Sequence, residues 1–165
     1  MSLSSCGRKW FPLSNPALGA LLQGPILVMD DEEMVLTLAA MMLKCLGYQA
    51  TVCMNGDEAL ENYQKARAAG TPHLGVILDL TVYRGMGGRD VARQILLEDP
   101  DARLIVSCGN PYDPVLADHK TYGFCSTLAK PYRLSDLVTV LAGLFPWEDR
   151  TCAHSPPRKT ESSSV

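Results

Sequence analysis

The run Ile26-Leu27-Val28-Met29-Asp30-Asp31 decides the fold: four apolar residues in succession, closed by two adjacent carboxylates. An uninterrupted apolar stretch this short reads as a strand buried on both faces, as in a parallel sheet. Three further stretches share its form. Val76-Ile77-Leu78-Asp79 ends in an acid, Leu104-Ile105-Val106-Ser107 in a hydroxyl, and a fourth segment closes on Leu128-Ala129-Lys130-Pro131. In open parallel sheets, function collects at the carboxyl ends of the strands. Three acids, one hydroxyl and one amine therefore converge on one edge, a combination suited to a divalent metal and a phosphoryl group.

Working outward, helical patterns fill the spaces between these runs. From Glu32 to Leu46, the apolar residues Val35, Leu38, Met42 and Cys45 recur at helical spacing, with Gly47 as the stop. Tyr48–Cys53 reads as a second strand. Asn55 followed by Glu58 is an N-cap with its partner, and the helix it opens uses Ala59, Tyr63 and Ala66 before Gly70. The third strand, about 74–79, leads into a glycine-rich loop, Arg84-Gly85-Met86-Gly87-Gly88, and a helix near 89–98. A fourth strand covers about 103–107, a weaker helix Pro114–Gly123, and a short fifth strand about 124–128. The last helix aligns Leu134, Leu137, Val138, Leu141 and Leu144. Five strands alternating with five helices, joined by right-handed crossovers, predict a three-layer α/β sandwich of the flavodoxin-like type with strand order 2-1-3-4-5.

The domain expected from this pattern spans 26–145. Residues 1–25, punctuated by Pro12, Pro16 and Pro25, read as a tail or linker. Residues 146–165, with Pro156-Pro157 and serines at 162–164, read as a disordered polar tail too short for an effector domain. A length of 165 residues and 47% apolar content suit one core with tails. The net charge of −3 gives no electrostatic footprint for nucleic acid. No apolar stretch approaches the ~20 residues of a membrane span. Pro12 and Pro16 interrupt the chain soon after Arg8 and Lys9, against a signal peptide, so a cytoplasmic location is expected. The six cysteines (Cys6, Cys45, Cys53, Cys108, Cys125, Cys152) show neither a CxxC pair nor paired zinc spacing and read as small reduced core residues. His73, His119 and His154 read as loop or surface bystanders.

Strand order 2-1-3-4-5 makes the first and third strands neighbours, so Asp30, Asp31 and Asp79 crowd one pocket flanked by Ser107 and Lys130. Packed carboxylates repel one another unless a cation compensates. All-oxygen ligands with room for water suit Mg²⁺. Lys130 supplies a mobile positive charge and Ser107 a hydrogen-bond donor. An aspartate beside a metal is a competent nucleophile toward phosphorus.

In their order and spacing these motifs resemble the receiver domain of two-component response regulators. The run Ile-Leu-Val-Met-Asp-Asp-Glu, then Ile-Leu-Asp-Leu-Thr, Ile-Val-Ser and Ala-Lys-Pro-Tyr cover about residues 25–145. Asp79-Leu80-Thr81…Gly85-Met86-Gly87-Gly88, with Asp113-Pro114-Val115 and Tyr122-Gly123-Phe124, is most similar to receivers at the C-terminus of hybrid sensor histidine kinases. The resemblance implies Asp79 as phospho-acceptor. It implies Mg²⁺ held directly by Asp31 and Asp79, with Asp30 nearby through water and the Thr81 carbonyl completing the set. Ser107 would sense the phosphoryl group and Lys130 contact it. The implied partner is a histidine kinase or a histidine phosphotransfer domain, with neither nucleic acid nor membrane bound by this chain itself. A homodimer through the face of the fourth helix, fifth strand and fifth helix is allowed. The expected role is a signalling module rather than a turnover enzyme. Val82-Tyr83 stands where the family often has Met-Pro, and Thr127 where many members carry an aromatic switch residue.

Two other classes compete. A metal-dependent phosphohydrolase with an aspartyl-phosphate intermediate would want a second acid two residues after the nucleophile, where this chain has Thr81. An interaction module that keeps only the fold would not need the acids, Ser107 and Lys130. Taken singly, Asp30 and Asp31 could serve as helix N-terminal acids, Ser107 as a strand-end hydroxyl and Lys130 as a solvated loop lysine. The loop glycines fit neither a dinucleotide nor a P-loop fingerprint and read as turn residues.

Overall fold

A computed structural model describes residues 23–83 and 85–145. The expected tails, apart from residues 23–25, lie outside the described residues, as do Cys6, Cys152, His154 and Arg84 of the glycine-rich loop. In chain order the elements are β1 Gln23–Met29, α1 Glu33–Cys45, β2 Tyr48–Cys53, α2 Gly56–Ala68, β3 Gly75–Asp79, α3 Gly88–Glu98, β4 Leu104–Cys108, α4 Pro114–Ala117, β5 Ser126–Ala129 and α5 Leu134–Leu144. All sheet pairings are parallel and the order is β2-β1-β3-β4-β5, as the sequence predicts.

Alternation along the strands divides the core into two layers. Leu27, Met29, Val76, Leu78, Leu104 and Val106 face one side, where they meet Ala59 and Tyr63 of α2, Val91 and Ile95 of α3, Val115 of α4, and Phe124. Ile26, Val28, Ile77, Ile105 and Leu128 face the other, against Leu36, Ala39 and Leu43 of α1 and Leu137 and Leu141 of α5. Central β3 and β4 are buried along their whole length, which is why their sequences are unbroken apolar runs.

Several boundaries and faces depart from expectation. β1 begins at Gln23, three residues earlier than predicted, with a register irregularity between Gln23 and Pro25. Pro25 lacks an N–H, but pairing with β3 starts only at Ile26, so that donor has no partner to lose. The Pro25 carbonyl accepts from Leu74 N at 2.8 Å. On α1 the buried row is Leu36, Ala39 and Leu43, one position on from the predicted stripe; Leu38 and Cys45 are exposed. Adjacent helical rows are both apolar there, so periodicity alone does not choose between them. On α5, Leu134 and Val138 are likewise exposed beside buried Leu137 and Leu141. Cys45 and Cys125 are exposed rather than core, while Cys53 and Cys108 are buried, and all four are free.

α4 is one turn, not the ten-residue helix expected. Asp113 caps it by accepting from Val115 N at 2.9 Å, and Pro114 occupies its first turn. Asp118 then leaves the helical region, and the chain continues through tight turns closed by Thr121 N to Asp118 O and Gly123 N to Lys120 O. Asp118, His119 and Thr121 are weak helix formers and the stretch 118–121 has no apolar residue to bury, so nothing propagates the turn.

Candidate functional site

Each candidate side chain sits at the carboxyl edge of a strand or just beyond it. Register does the placing. Asp79 pairs with Ser107, and Ser107 with Leu128, so the acceptor candidate and the hydroxyl stand side by side on neighbouring strands. Met29 pairs with Leu78, which carries Asp30 alongside Asp79. Backbone bonds extend the ladders past the strand ends: Asp30 N donates to Cys53 O, Leu80 N to Ser107 O, and Lys130 N to Cys108 O at 2.9–3.1 Å. The site is thus framed by rigid sheet rather than by mobile side chains.

Asp30, Asp79 and Ser107 are 2%, 2% and 1% exposed, the buried polar residues of the described chain. Lys130 spans the two buried acids, with Nζ 2.6 Å from Asp30 Oδ2 and 3.1 Å from Asp79 Oδ1. The longer contact is the ion pair that Asp79 Oδ1 makes in the described structure. Ser107 Oγ is buried and unpartnered. A buried hydroxyl without a partner is uncommon in native structures and points to a group that completes it. Asp30 Oδ1 accepts from Glu32 N at 3.1 Å, and Asp31 Oδ2 accepts from Tyr83 N at 2.8 Å.

Burial pushes the Asp79 carboxyl above its ordinary range, and the nearby charge of Asp30 adds to this; Lys130 and the Thr81 amide oppose it without reversing it. Burial alone would lower the Lys130 ammonium, but the two aspartates outweigh it and hold it above its usual value. Tyr132, buried beside this cluster, is pushed up to about 12, chiefly by desolvation and then by the charge of Asp30.

One carboxylate oxygen from each of Asp30, Asp31 and Asp79 lies within 4.8 Å of the others. Asp31 opens onto a hollow of about 490 Å³ lined also by Asn55, Asp57, Tyr83 and Gly85. Hard oxygen donors beside an open hollow with room for water fit Mg²⁺, which retains several waters. The structure therefore brings Asp30, Asp31, Asp79, Ser107 and Lys130 together. Thr81 lies on the β3–α3 loop, with its backbone amide bonded to the Asp79 carboxylate. The remaining histidines with described positions are outside the cluster, though His73 is not a surface residue: it is half-buried, bonded to Thr51 and stacked on Tyr63.

Two contributions had no sequence signal strong enough to identify them. The Tyr83 amide that holds Asp31 is a backbone group, silent in the side-chain pattern. Gly88, read only as a turn residue, is the first residue of α3; a Cβ there would lie 2.3 Å from the Asp79 carbonyl oxygen, so the helix packs directly on the acceptor candidate's backbone. Gly85, with φ of +90°, does act as a turn residue.

Comparison with known proteins places this geometry. The family model of the response regulator receiver domain matches residues 26–142. No curated protein matches the chain by sequence. Among solved structures, a response regulator receiver domain protein from Clostridium thermocellum has a TM-score of 0.66 at 22% identity, covering 74% of this chain and 94% of that one. The receiver domain of a sensor histidine kinase from Pseudomonas aeruginosa, described with a magnesium ion coordinated in its active site cleft, has a TM-score of 0.64 at 22% identity over 74% and 98% of the two chains. A CheX–CheY complex with beryllofluoride and magnesium from Borrelia burgdorferi has a TM-score of 0.66 at 20% identity over 75% and 90%. Likeness at these identities speaks to the fold.

Proposed function

The chain belongs to the response regulator receiver domain family, and on that premise we propose that its domain at 26–145 accepts a phosphoryl group from a kinase histidine onto Asp79. The observation that carries this reading is the buried triangle of Lys130 with Asp30 and Asp79, beside the unpartnered Ser107 hydroxyl. A carboxylate oxygen of Asp79 attacks phosphorus, and the P–N bond to the donor imidazole breaks with its electron pair retained on nitrogen. The product is an acyl phosphate on Asp79. Lys130 then exchanges its contact with Asp79 for a phosphoryl oxygen, and Ser107 donates to another. Asp31, Asp79 and the Thr81 carbonyl hold Mg²⁺, with Asp30 nearby; when bound, the ion neutralises charge that three carboxylates and a phosphoryl group would otherwise leave unbalanced.

The chain then acts as a signalling module rather than a turnover enzyme, in a cytoplasmic phosphorelay whose donor is a histidine kinase or a histidine phosphotransfer domain. The motif around Asp79–Gly88 supports a receiver of the hybrid-kinase kind. The signal leaves through α4, β5 and α5, the face above Ser107 and Lys130, which is also where a homodimer would form. A one-turn α4 and the half-buried Thr127 favour rearrangement of the stretch after Ser107 over rotation of an aromatic ring.

Acetyl phosphate with Mg²⁺, followed by intact-mass measurement, tests the assignment. One phosphoryl adduct is expected on the wild type and none on Asp79→Asn. An adduct of equal yield on that variant would place the acceptor elsewhere.

A further inference from the structure

Away from the acidic pocket, α3 and the turns that follow α4 enclose a groove of about 500 Å³. Its charge reverses that of the chain. Arg89, Arg93 and Lys120 line it against a single acid, Asp90, in a protein whose net charge is −3. Among the described residues, none of the three cations has a carboxylate within ion-pair distance. Their placement is locally unfavourable. Arg89 and Arg93 stand one turn apart on α3, where like charges repel, and Arg89 sits in the first turn against the positive end of the helix dipole.

The groove also has a built recognition geometry. The Arg89 guanidinium lies 4.8 Å above the Tyr122 ring, which fixes its plane and leaves its N–H edge available to a carboxylate. Leu97, 77% exposed, supplies an apolar wall beside the cations.

We propose that this groove docks a short acidic peptide segment of a partner protein, seated by carboxylates on Arg89, Arg93 and Lys120 and by an aliphatic side chain on Leu97. Charge complementarity selects an acidic occupant. The apolar wall beside the cations selects a peptide that carries an aliphatic side chain over a wholly charged polyanion. The site is separate from the phosphoryl pocket and does not depend on the chemistry at Asp79.

The test is fluorescence anisotropy of a labelled glutamate-rich peptide carrying leucine, with amide chemical shifts of the protein as a map. Wild type should bind, more weakly as salt rises, with shifts centred on residues 89–97 and 120–123. The Arg89→Gln, Arg93→Gln, Lys120→Gln triple variant should bind about tenfold more weakly, as three exposed charge contacts each contributing roughly twofold would give. Lys44→Gln, on the opposite layer, should bind as wild type does, and thermal melts of both variants should show the fold retained. The proposal is overturned by no binding to wild type at millimolar peptide, or by equal binding to the triple variant. Shifts confined to another face, or preference for an oligonucleotide of equal charge, would overturn it as well.

Discussion

His73 shows how a residue dismissed from sequence acquires a measurable property from its surroundings. It sits half-buried against Tyr63 and Thr51, with Nδ1 buried and unpartnered, and burial holds its pKa below the ordinary value of 6.5. In the unfolded chain the imidazole takes up a proton near 6.5, whereas the folded protein resists it. The unfolded state therefore binds more protons below that pH. Stability should be level above about 6.5 in respect of this group and fall as the pH drops below it. Urea titrations at several pH values should show that decline reduced in His73→Gln; identical profiles would mean that the folded protein takes up the His73 proton as readily as the unfolded chain. At the same scale, Asp30, Asp31, Asp79, Ser107 and Lys130 were legible because each closes a recognisable strand, and strand ends define one edge of a parallel sheet. The Tyr83 amide was not, because a backbone contact across 52 positions leaves no trace in residue types.

Among the elements, the opening of α2 has the expected N-cap at Asn55, while the Glu58 side chain bonds the N–H one residue before the cap rather than that of the cap itself. Asn55 Oδ1 accepts from Glu58 N at 2.9 Å, while Glu58 Oε2 accepts from Met54 N at 2.8 Å. Removing the cap with Asn55→Ala should cost about 1 kcal/mol. The urea midpoint should fall with no change in slope, because the denatured surface is unaltered; an unchanged midpoint would show that α2 is held by packing alone. α1 marks the opposite outcome. Its rows 35-38-42 and 36-39-43 are both apolar, and only docking on Ile26 and Val28 selects the second as buried. α4 was overestimated because a proline, a cap and two aliphatic residues start a helix without supplying the apolar face needed to continue it.

For the whole molecule, strand order followed from the alternation of elements and the handedness of crossovers, and it in turn predicted the acidic pocket. With Mg²⁺ held there as proposed, the pocket would make stability responsive to magnesium. At roughly ten times its Kd, Mg²⁺ should stabilise the folded state by about 1.4 kcal/mol through mass action, seen as a higher melting temperature. Asp31→Ala removes a proposed ligand and should lose most of that response. Equal stabilisation of both proteins would move the ion to another site.

β1 and β3 are the one pair of sheet neighbours not consecutive in the chain: an early βαβ unit must accept β3 on its inner edge before the later strands can join. The carboxylates of Asp30 and Asp79 meet at this seam. Lys130 compensates their repulsion in the folded sheet, but it arrives only with β5, so pairing β1 with β3 before β5 docks would bring two uncompensated carboxylates together and slow that step. If the seam closes in the transition state, Asp79→Asn should shift the refolding arm of a chevron upward and leave the unfolding arm nearly in place. A change confined to the unfolding arm would mean that the sheet is assembled before the acids are brought together. On the first outcome, newly made protein would fold fastest where magnesium is already present, and the ion that serves signalling would also serve as a folding aid.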